Sequence, residues 1–245
     1  MNALSRRRVL GAPLAVLAGA SAAAAAPAPR KLRVVFVGAH PDDVEGAAGG
    51  TVARYADHGH AATILVLTRG QAGLRGRPKD EAGAIRTAQA EKAAEILKAR
   101  LRFLDQMDGA TELQYDAFRA ALEEEKPDLV FTWWPVNSHR DHRVAFTLVH
   151  DAWLRSKRTF TLGYFENAGT QHFSPTHYVD VSDVANRKRE ACWAHTWYKD
   201  RPDLDLWSKV DVRLRFRGME AGCPLAEAFV LHGQNRSPLP GLEVV

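Results

Sequence analysis

The sequence predicts an α/β sandwich in which helices cover both faces of a mostly parallel sheet. Three observations predict it. Short apolar runs rich in Val, Ile, Leu and Phe recur along the chain and end at Gly, Pro or polar clusters. Longer segments rich in Ala, Glu, Lys and Leu at helical spacing stand between them. The two kinds alternate, which is the pattern of parallel strands joined by crossover helices. The chain has 245 residues, 46% hydrophobic and 25% charged, enough for a core of its own and unlike a disordered, collagenous or coiled-coil chain.

The elements follow in order. Leu32 to Val37 (LRVVFV) is a buried strand ending at Gly38. Ala47 to Ala56 is small and apolar at helical spacing, and Asp57-His-Gly-His60 ends it. Ala62 to Thr68 (ATILVLT) is the second strand, followed by a Gly/Arg/Pro loop from Gly70 to Lys79. Asp80 to Arg100 is a long helix, and Leu101 to Leu104 a short third strand. Tyr115 to Lys126 is an amphipathic helix broken by Pro127-Asp128, and Leu129 to Trp134 is the fourth strand. His142 to Arg155 is helical, Phe160 to Phe165 is a fifth strand, Tyr178 to Val181 a short strand, and Asp183 to Tyr198 a polar helix dotted with aromatics. The remainder to Val245 reads as packing onto the sheet or roofing a site. The expected architecture is a Rossmann-like three-layer sandwich with strand order 3-2-1-4-5. Cys192 and Cys223 are too few for a disulfide framework or a Cys-based zinc finger, and one bridge between them stays open.

The net charge of +4 suggests an anionic partner, but residues 1–26 carry Arg6, Arg7 and Arg8 and no acid. Without them 30 basic residues face 29 acidic ones, so no basic stripe for nucleic acid remains. Those residues read as a charged start, an Ala-rich apolar run from Val9 to about Ala20, and small residues with A-x-A cleavage options at Ala18-Gly19-Ala20 and Ala20-Ser21-Ala22. This is the anatomy of a secretory signal and resembles the twin-arginine type. The expectation is a cleaved leader over 1–26 and a single domain over 27–245, exported to the periplasm or outside. No other stretch is apolar for the ~18 residues a membrane helix needs.

Two clusters carry chemistry. Ala39-His40-Pro41-Asp42-Asp43 follows the first strand, and His139-Arg140-Asp141-His142 follows the fourth. In a sheet of order 3-2-1-4-5 those strands are neighbours where the chain order reverses, and ligands bind there. Each cluster alone also reads as a turn or helix start. Together they bring three His and three Asp to one crevice, where unpaired carboxylates are costly. A divalent cation removes that cost, and two imidazoles with one carboxylate make the open ligand set of a catalytic zinc.

These residues resemble the PIG-L/LmbE-like zinc-dependent N-acetylglucosaminyl deacetylases, whose signature is A-H-P-D-D followed far downstream by H-P-D-H. Gly49-Gly50-Thr51, Thr68-Arg-Gly70, Arg86, Lys126-Pro127-Asp128, Tyr178-Val-Asp180 and Ala226-Glu-Ala-Phe229 extend the likeness over most of the chain. Arg140 departs from the usual proline, Gln71 from a glutamate after T-x-G, and Gln89 from the acid of R-x-x-E. The resemblance implies zinc on His40, Asp43 and His142, and Asp42 as general base. It implies His139 as polariser of the amide carbonyl or proton donor to the amine, with Asp141 orienting it. The implied reaction is removal of acetate from an N-acetylated sugar by metal-activated water. Arg75 resembles the family's sugar-contacting arginine and equally reads as a solvated loop residue.

His58 and His60 read as solvated, His150 as packing, one of Trp133 and Trp134 as core, and His195, near Trp193 and Trp197, as a candidate contact. The glycines of Gly70 to Gly76 lack phosphate-loop spacing, which argues against nucleotide binding. A non-heme iron triad from His139-x-Asp141 conflicts with the α/β alternation. A hydrolase of another amide or ester, or a non-catalytic sugar-binding relative, fits the same fold.

Overall fold

The computed structural model describes residues 30–196 and 206–235. The expected leader, and Trp197 and Tyr198 at the end of the expected aromatic-dotted helix, lie outside the described residues. The sheet of the unit Lys31–Val245 contains β1 (Arg33–Gly38), β2 (Ala61–Thr68), β3 (Arg100–Gln106), β4 (Leu129–Trp133), β5 (Thr161–Phe165), β6 (His177–Asp180) and β7 (Ala226–Leu231). The helices are α1 (Asp43–Asp57), α2 (Lys79–Leu97), α3 (Tyr115–Glu125), α4 (Arg140–Arg155), α5 (Ala185–Ala194) and α6 (Leu206–Ala221).

The strand order is β3-β2-β1-β4-β5-β7-β6. Its first five strands pair in parallel in the expected order, with β1 between β2 and β4. The apolar strands follow from burial on both faces: from Val34 to Gly38 every residue of β1 is buried, as is all of β4. β7 joins β5 antiparallel, and β6 joins β7 antiparallel, so the C-terminal residues extend the sheet. α6 and β7 lie in the remainder expected to pack onto the sheet or roof a site.

Helix boundaries move where polar residues do the capping. α1 starts at Asp43, ahead of its apolar stretch, with Asp43 and Glu45 in its first turn where the helix dipole favours acids. α4 starts at Arg140 because the His139 side chain caps it, accepting the Asp141 N–H. The small residues of α1 let it lie close to its neighbours: a Cβ on Gly50 would stand 2.6 Å from Val181 Cγ1. Both cysteines are free, with Cys192 buried, so no bridge joins them.

Candidate metal centre

β1 and β4 end side by side, and the two clusters meet there. After Gly38 the chain turns sharply into α1. Asp42 takes a left-handed conformation, φ 97°, which is rare for a residue with a side chain and marks local strain. The turn is closed by Asp43, whose Oδ2 accepts the N–H groups of Ala39 at 2.7 Å and His40 at 2.9 Å. Gly38 makes room for it, since a Cβ there would lie 3.0 Å from the Asp43 Cβ. Arg86 of α2 pins the strained residue: Nη2 donates to Asp42 Oδ2 at 2.7 Å and to the Pro41 carbonyl.

The Asp43 carboxylate stands between two imidazoles. Oδ1 is 3.2 Å from His142 Nε2, and Oδ2 is 3.6 Å from His40 Nδ1. The far nitrogen of each ring is already committed. Asn137 Oδ1 accepts the His139 backbone N–H at 2.9 Å, so the oxygen of that amide faces His142 Nδ1 at 3.1 Å and receives its proton. His40 Nε2 lies 3.2 Å from Asp141 Oδ2 and 3.2 Å from Asp108 Oδ1, so it is the donor there. In the neutral rings, both nitrogens facing Asp43 therefore carry lone pairs against a carboxylate. Acceptor against acceptor is unfavourable until a proton or a cation enters. An outer carboxylate or amide oxygen holding the far N–H of a ligating histidine is the usual support of a metal site.

The charges agree. Burial alone would lower the His40 pKa, but hydrogen bonds to Asp108, Asp141 and Asp43 outweigh it and hold the ring well above its usual value. Burial would raise the Asp43 carboxyl, yet His142 and His40 keep it well below. Burial, together with the positive fields of His40 and His142, lowers His139.

Two sets of side chains bring candidate ligand atoms within 4.8 Å of one another: His40, His139 and His142, and His40, Asp108 and Asp141. The expected trio is joined pairwise through Asp43, and the histidine trio adds His139. Trp133 stacks on His142 with ring centroids 3.9 Å apart and 3° between planes, so this core tryptophan also fixes a site ring.

Asp141 departs from its expected role. Its buried carboxylate accepts from Thr111 Oγ1 at 2.6 Å and Gly109 N–H at 3.0 Å, and it faces His40 rather than His139. The link to His139 runs through the backbone, because the Asp141 N–H donates to His139 Nδ1 at 3.2 Å. A neutral His139 thus keeps its proton on Nε2. Arg75 is exposed in the loop after β2, and the cavity wall there is Ala72 and Gly73. His195 is buried against Glu45 at 3.0 Å and does not line the cavity, which corrects its reading as a contact. The departures have structural jobs. Arg140 ties α4 to the Thr111 carbonyl at 2.7 Å, Gln71 bonds the segment after β3, and Gln89 reaches Thr196 at 2.8 Å.

Asp108 and Asn137 carry no motif signal and were missed; both come from loops after β3 and β4. The cluster opens into a cavity of about 520 Å³, also lined by Asn167 and by Lys209, Val210 and Arg213 of α6. The last three come from the remainder expected to pack onto the sheet or roof a site.

Residues 35–153, which include both clusters, match the PIG-L family, described as GlcNAc-PI de-N-acetylase. The chain is similar to a diacetylchitobiose deacetylase of Thermococcus kodakarensis, 29% identical over 71% of this chain and 73% of that protein. It is also similar to a 1D-myo-inositol 2-acetamido-2-deoxy-alpha-D-glucopyranoside deacetylase of Rhodococcus erythropolis, 27% identical over 74% of this chain and 75% of the relative. Among solved structures, GalB, the 4-carboxy-2-hydroxymuconate hydratase of Pseudomonas putida, superposes with a TM-score of 0.73 at 20% identity, covering 85% of this chain and 99% of that one. A neighbour of the same fold is thus named a hydratase, so the reaction has to be argued from the site.

Proposed function

We propose that this chain is a PIG-L-type, zinc-dependent N-deacetylase that removes acetate from an N-acetylated amino sugar. The observation that carries the reading is the Asp43 carboxylate set between two ring nitrogens whose far sides are already hydrogen-bonded, an arrangement that calls for a cation. His40, Asp43 and His142 would hold it. Asp43 is preferred to His139 as the third ligand because it is buried, anionic and in contact with both rings. Zinc suits an N/O site of this size, lowers the pKa of water toward 7 and polarises a carbonyl.

The chain's own residues supply the rest. Asp42 lines the cavity with its carboxylate anchored by Arg86, and it takes the proton of the attacking water as general base. Neutral His139, with its proton on Nε2, donates to the oxygen of the acetamide as it becomes negative. The proton held by Asp42 passes to the amine nitrogen as the C–N bond breaks, leaving acetate and a free amino sugar. Asp141 keeps His40 in one orientation and, through its N–H, fixes the tautomer of His139. The deacetylases among the relatives, acting on acetamido sugars by name, support this reading.

Acetate release from a panel of N-acetylated saccharides, before chelation, after it and after zinc is restored, tests this function. The expected result is release that chelation abolishes and zinc restores. Zinc-loaded protein that releases no acetate from any acetamido sugar, or release that survives complete chelation, overturns it. We also infer that residues 1–26 are a cleaved leader and that the domain works outside the cytoplasm. The twin arginines and the Ala-rich run support this.

A further inference from the structure

The cavity has a second wall that this chemistry leaves unused. Lys209 and Arg213 lie one turn apart on the same face of α6, and both line the cavity. The half-buried Arg213 donates Nη2 to the Gly46 carbonyl at 2.7 Å, and Lys209 is exposed. Among the described residues neither forms an ion pair. The other arginines near them do: Arg215 pairs with Asp211, and Arg217 with Glu166 and Glu220. The third cation of the cavity, Arg86, is matched by Asp42.

Burial lowers the Arg213 pKa, and the fields of Glu166 and Glu227 offset this only in part. A guanidinium still keeps its proton, so a positive charge faces the cavity without an ion-pair partner among the described residues. Such a charge is costly until an anion meets it. The acids of the cavity are already engaged: Asp42 with Arg86, Asp43 with His142 and His40, and Asp108 with His40. Gly46, which Arg213 touches, stands three residues after Asp43 on α1. The Arg213 guanidinium therefore meets α1 nearly one helical turn, ~5 Å, beyond Asp43, in the cavity that Lys209 and the His/Asp cluster also line.

We propose that the substrate is an N-acetylated amino sugar bearing a carboxylate or a phosphate, which Lys209 and Arg213 bind while the acetamide lies on the His/Asp cluster. This rests on the deacetylase reading and narrows it. Arg213 presents a planar fork that suits two oxygens of such a group, and Lys209 adds a mobile point charge at the rim.

Three probes test it: N-acetylglucosamine, its 3-O-lactyl ether and its 6-phosphate. Acetate release and calorimetric binding are measured for each on the zinc-loaded wild type and on Lys209→Gln, Arg213→Gln and Arg213→Lys. At least one anionic probe is expected to exceed the neutral sugar in kcat/KM by roughly tenfold, carried by KM. Which one does so tells carboxylate from phosphate. Lys209→Gln and Arg213→Gln are expected to collapse that ratio, Arg213→Lys to restore part of it, and added salt to shrink it. Lys209 is exposed, so its variant keeps the test valid if Arg213→Gln fails to fold. A neutral sugar turned over as well as both anions, or a ratio unchanged in Lys209→Gln, overturns the proposal. If no probe releases acetate, the deacetylase reading falls and calorimetry decides the subsite. Anion binding lost in Lys209→Gln upholds it, and equal or absent binding of the three probes refutes it.

Discussion

Asp42 and Asp43 are adjacent and chemically alike, yet the turn after β1 gives them different work. Asp43 closes the turn and faces both rings, whereas Asp42 is held at φ 97° against Arg86. Asp43→Asn is expected to lose metal and activity together. Asp42→Asn is expected to keep metal near stoichiometric while turnover falls ~10²–10⁴-fold, the usual contribution of a positioned base. Metal analysis and acetate-release rates on the two variants check this, and the opposite pattern would mean the roles are exchanged. The metal-free protein has a pH signature as well. His40 is held well above its usual 6.5, so its contribution to stability is complete below pH 6.5 and is lost as pH rises through the raised value. Asp43 is held well below 3.8, so its contribution is present above pH 3.8 and is lost only as pH falls through the lowered value. The Tm of chelated protein is therefore expected to fall from about pH 6.5 upward, and His40→Gln to flatten that slope. Zinc loading is expected to oppose it, because the metal needs the deprotonated ring. A flat profile in chelated wild type would contradict the His40 environment described here. Both signature clusters were legible in the sequence because each is contiguous. Asp108 and Asn137 were not, since what they do depends on which ring the fold sets beside them.

At the scale of the element, α1 is held by a buried charge pair as well as by its own ladder. Glu227 of β7 accepts the N–H groups of Gly50 at 2.8 Å and Thr51 at 2.7 Å, in the middle of the helix. Lys188 of α5, fully buried, donates to the carbonyls of Glu45 and Gly46 at 3.0 Å each and to Glu227 Oε1 at 2.6 Å. The pair adds partners to backbone groups of α1 and ties the half of the helix that begins with Asp43 to α5 and β7. Lys188→Met strands a buried carboxylate and is expected to cost about 3–5 kcal/mol, while adding Glu227→Gln is expected to recover part of that loss. Urea unfolding of the two variants and the wild type measures it, and a cost below 1 kcal/mol for Lys188→Met would show the pair to be unimportant. This device explains why the C-terminal part was hard to read. α5 looks polar because its Lys188 faces inward, and β7 (AEAFVL) is short and carries a buried Glu227. Burial reverses the hydrophobic signal when a charge has its partner. The parallel strands β1, β2 and β4 have no such conflict, and their positions were read within a residue or two.

For the whole molecule, the strand order joins two short motifs far apart in sequence, and that order was legible because alternating strands and helices leave few topologies. The antiparallel β7-β6 extension was not, since pairing partners at a sheet edge leave no local pattern. The proposed leader would direct the domain out of the cytoplasm. Mass spectrometry of the exported protein is expected to find an N-terminus at about residues 19–30, and lysines at Arg6 and Arg7 to strand the precursor inside; an intact Met1 on exported protein would contradict the leader. On the proposed function, the fold brings these clusters together to hold one metal ion on His40, Asp43 and His142. Anomalous scattering from crystals of zinc-loaded protein locates that ion. One peak is expected between those three side chains, with Asp141 and Asn137 on the far side of the two rings. A peak seated instead among His40, Asp108 and Asp141, or no peak at the ends of β1 and β4, would contradict it.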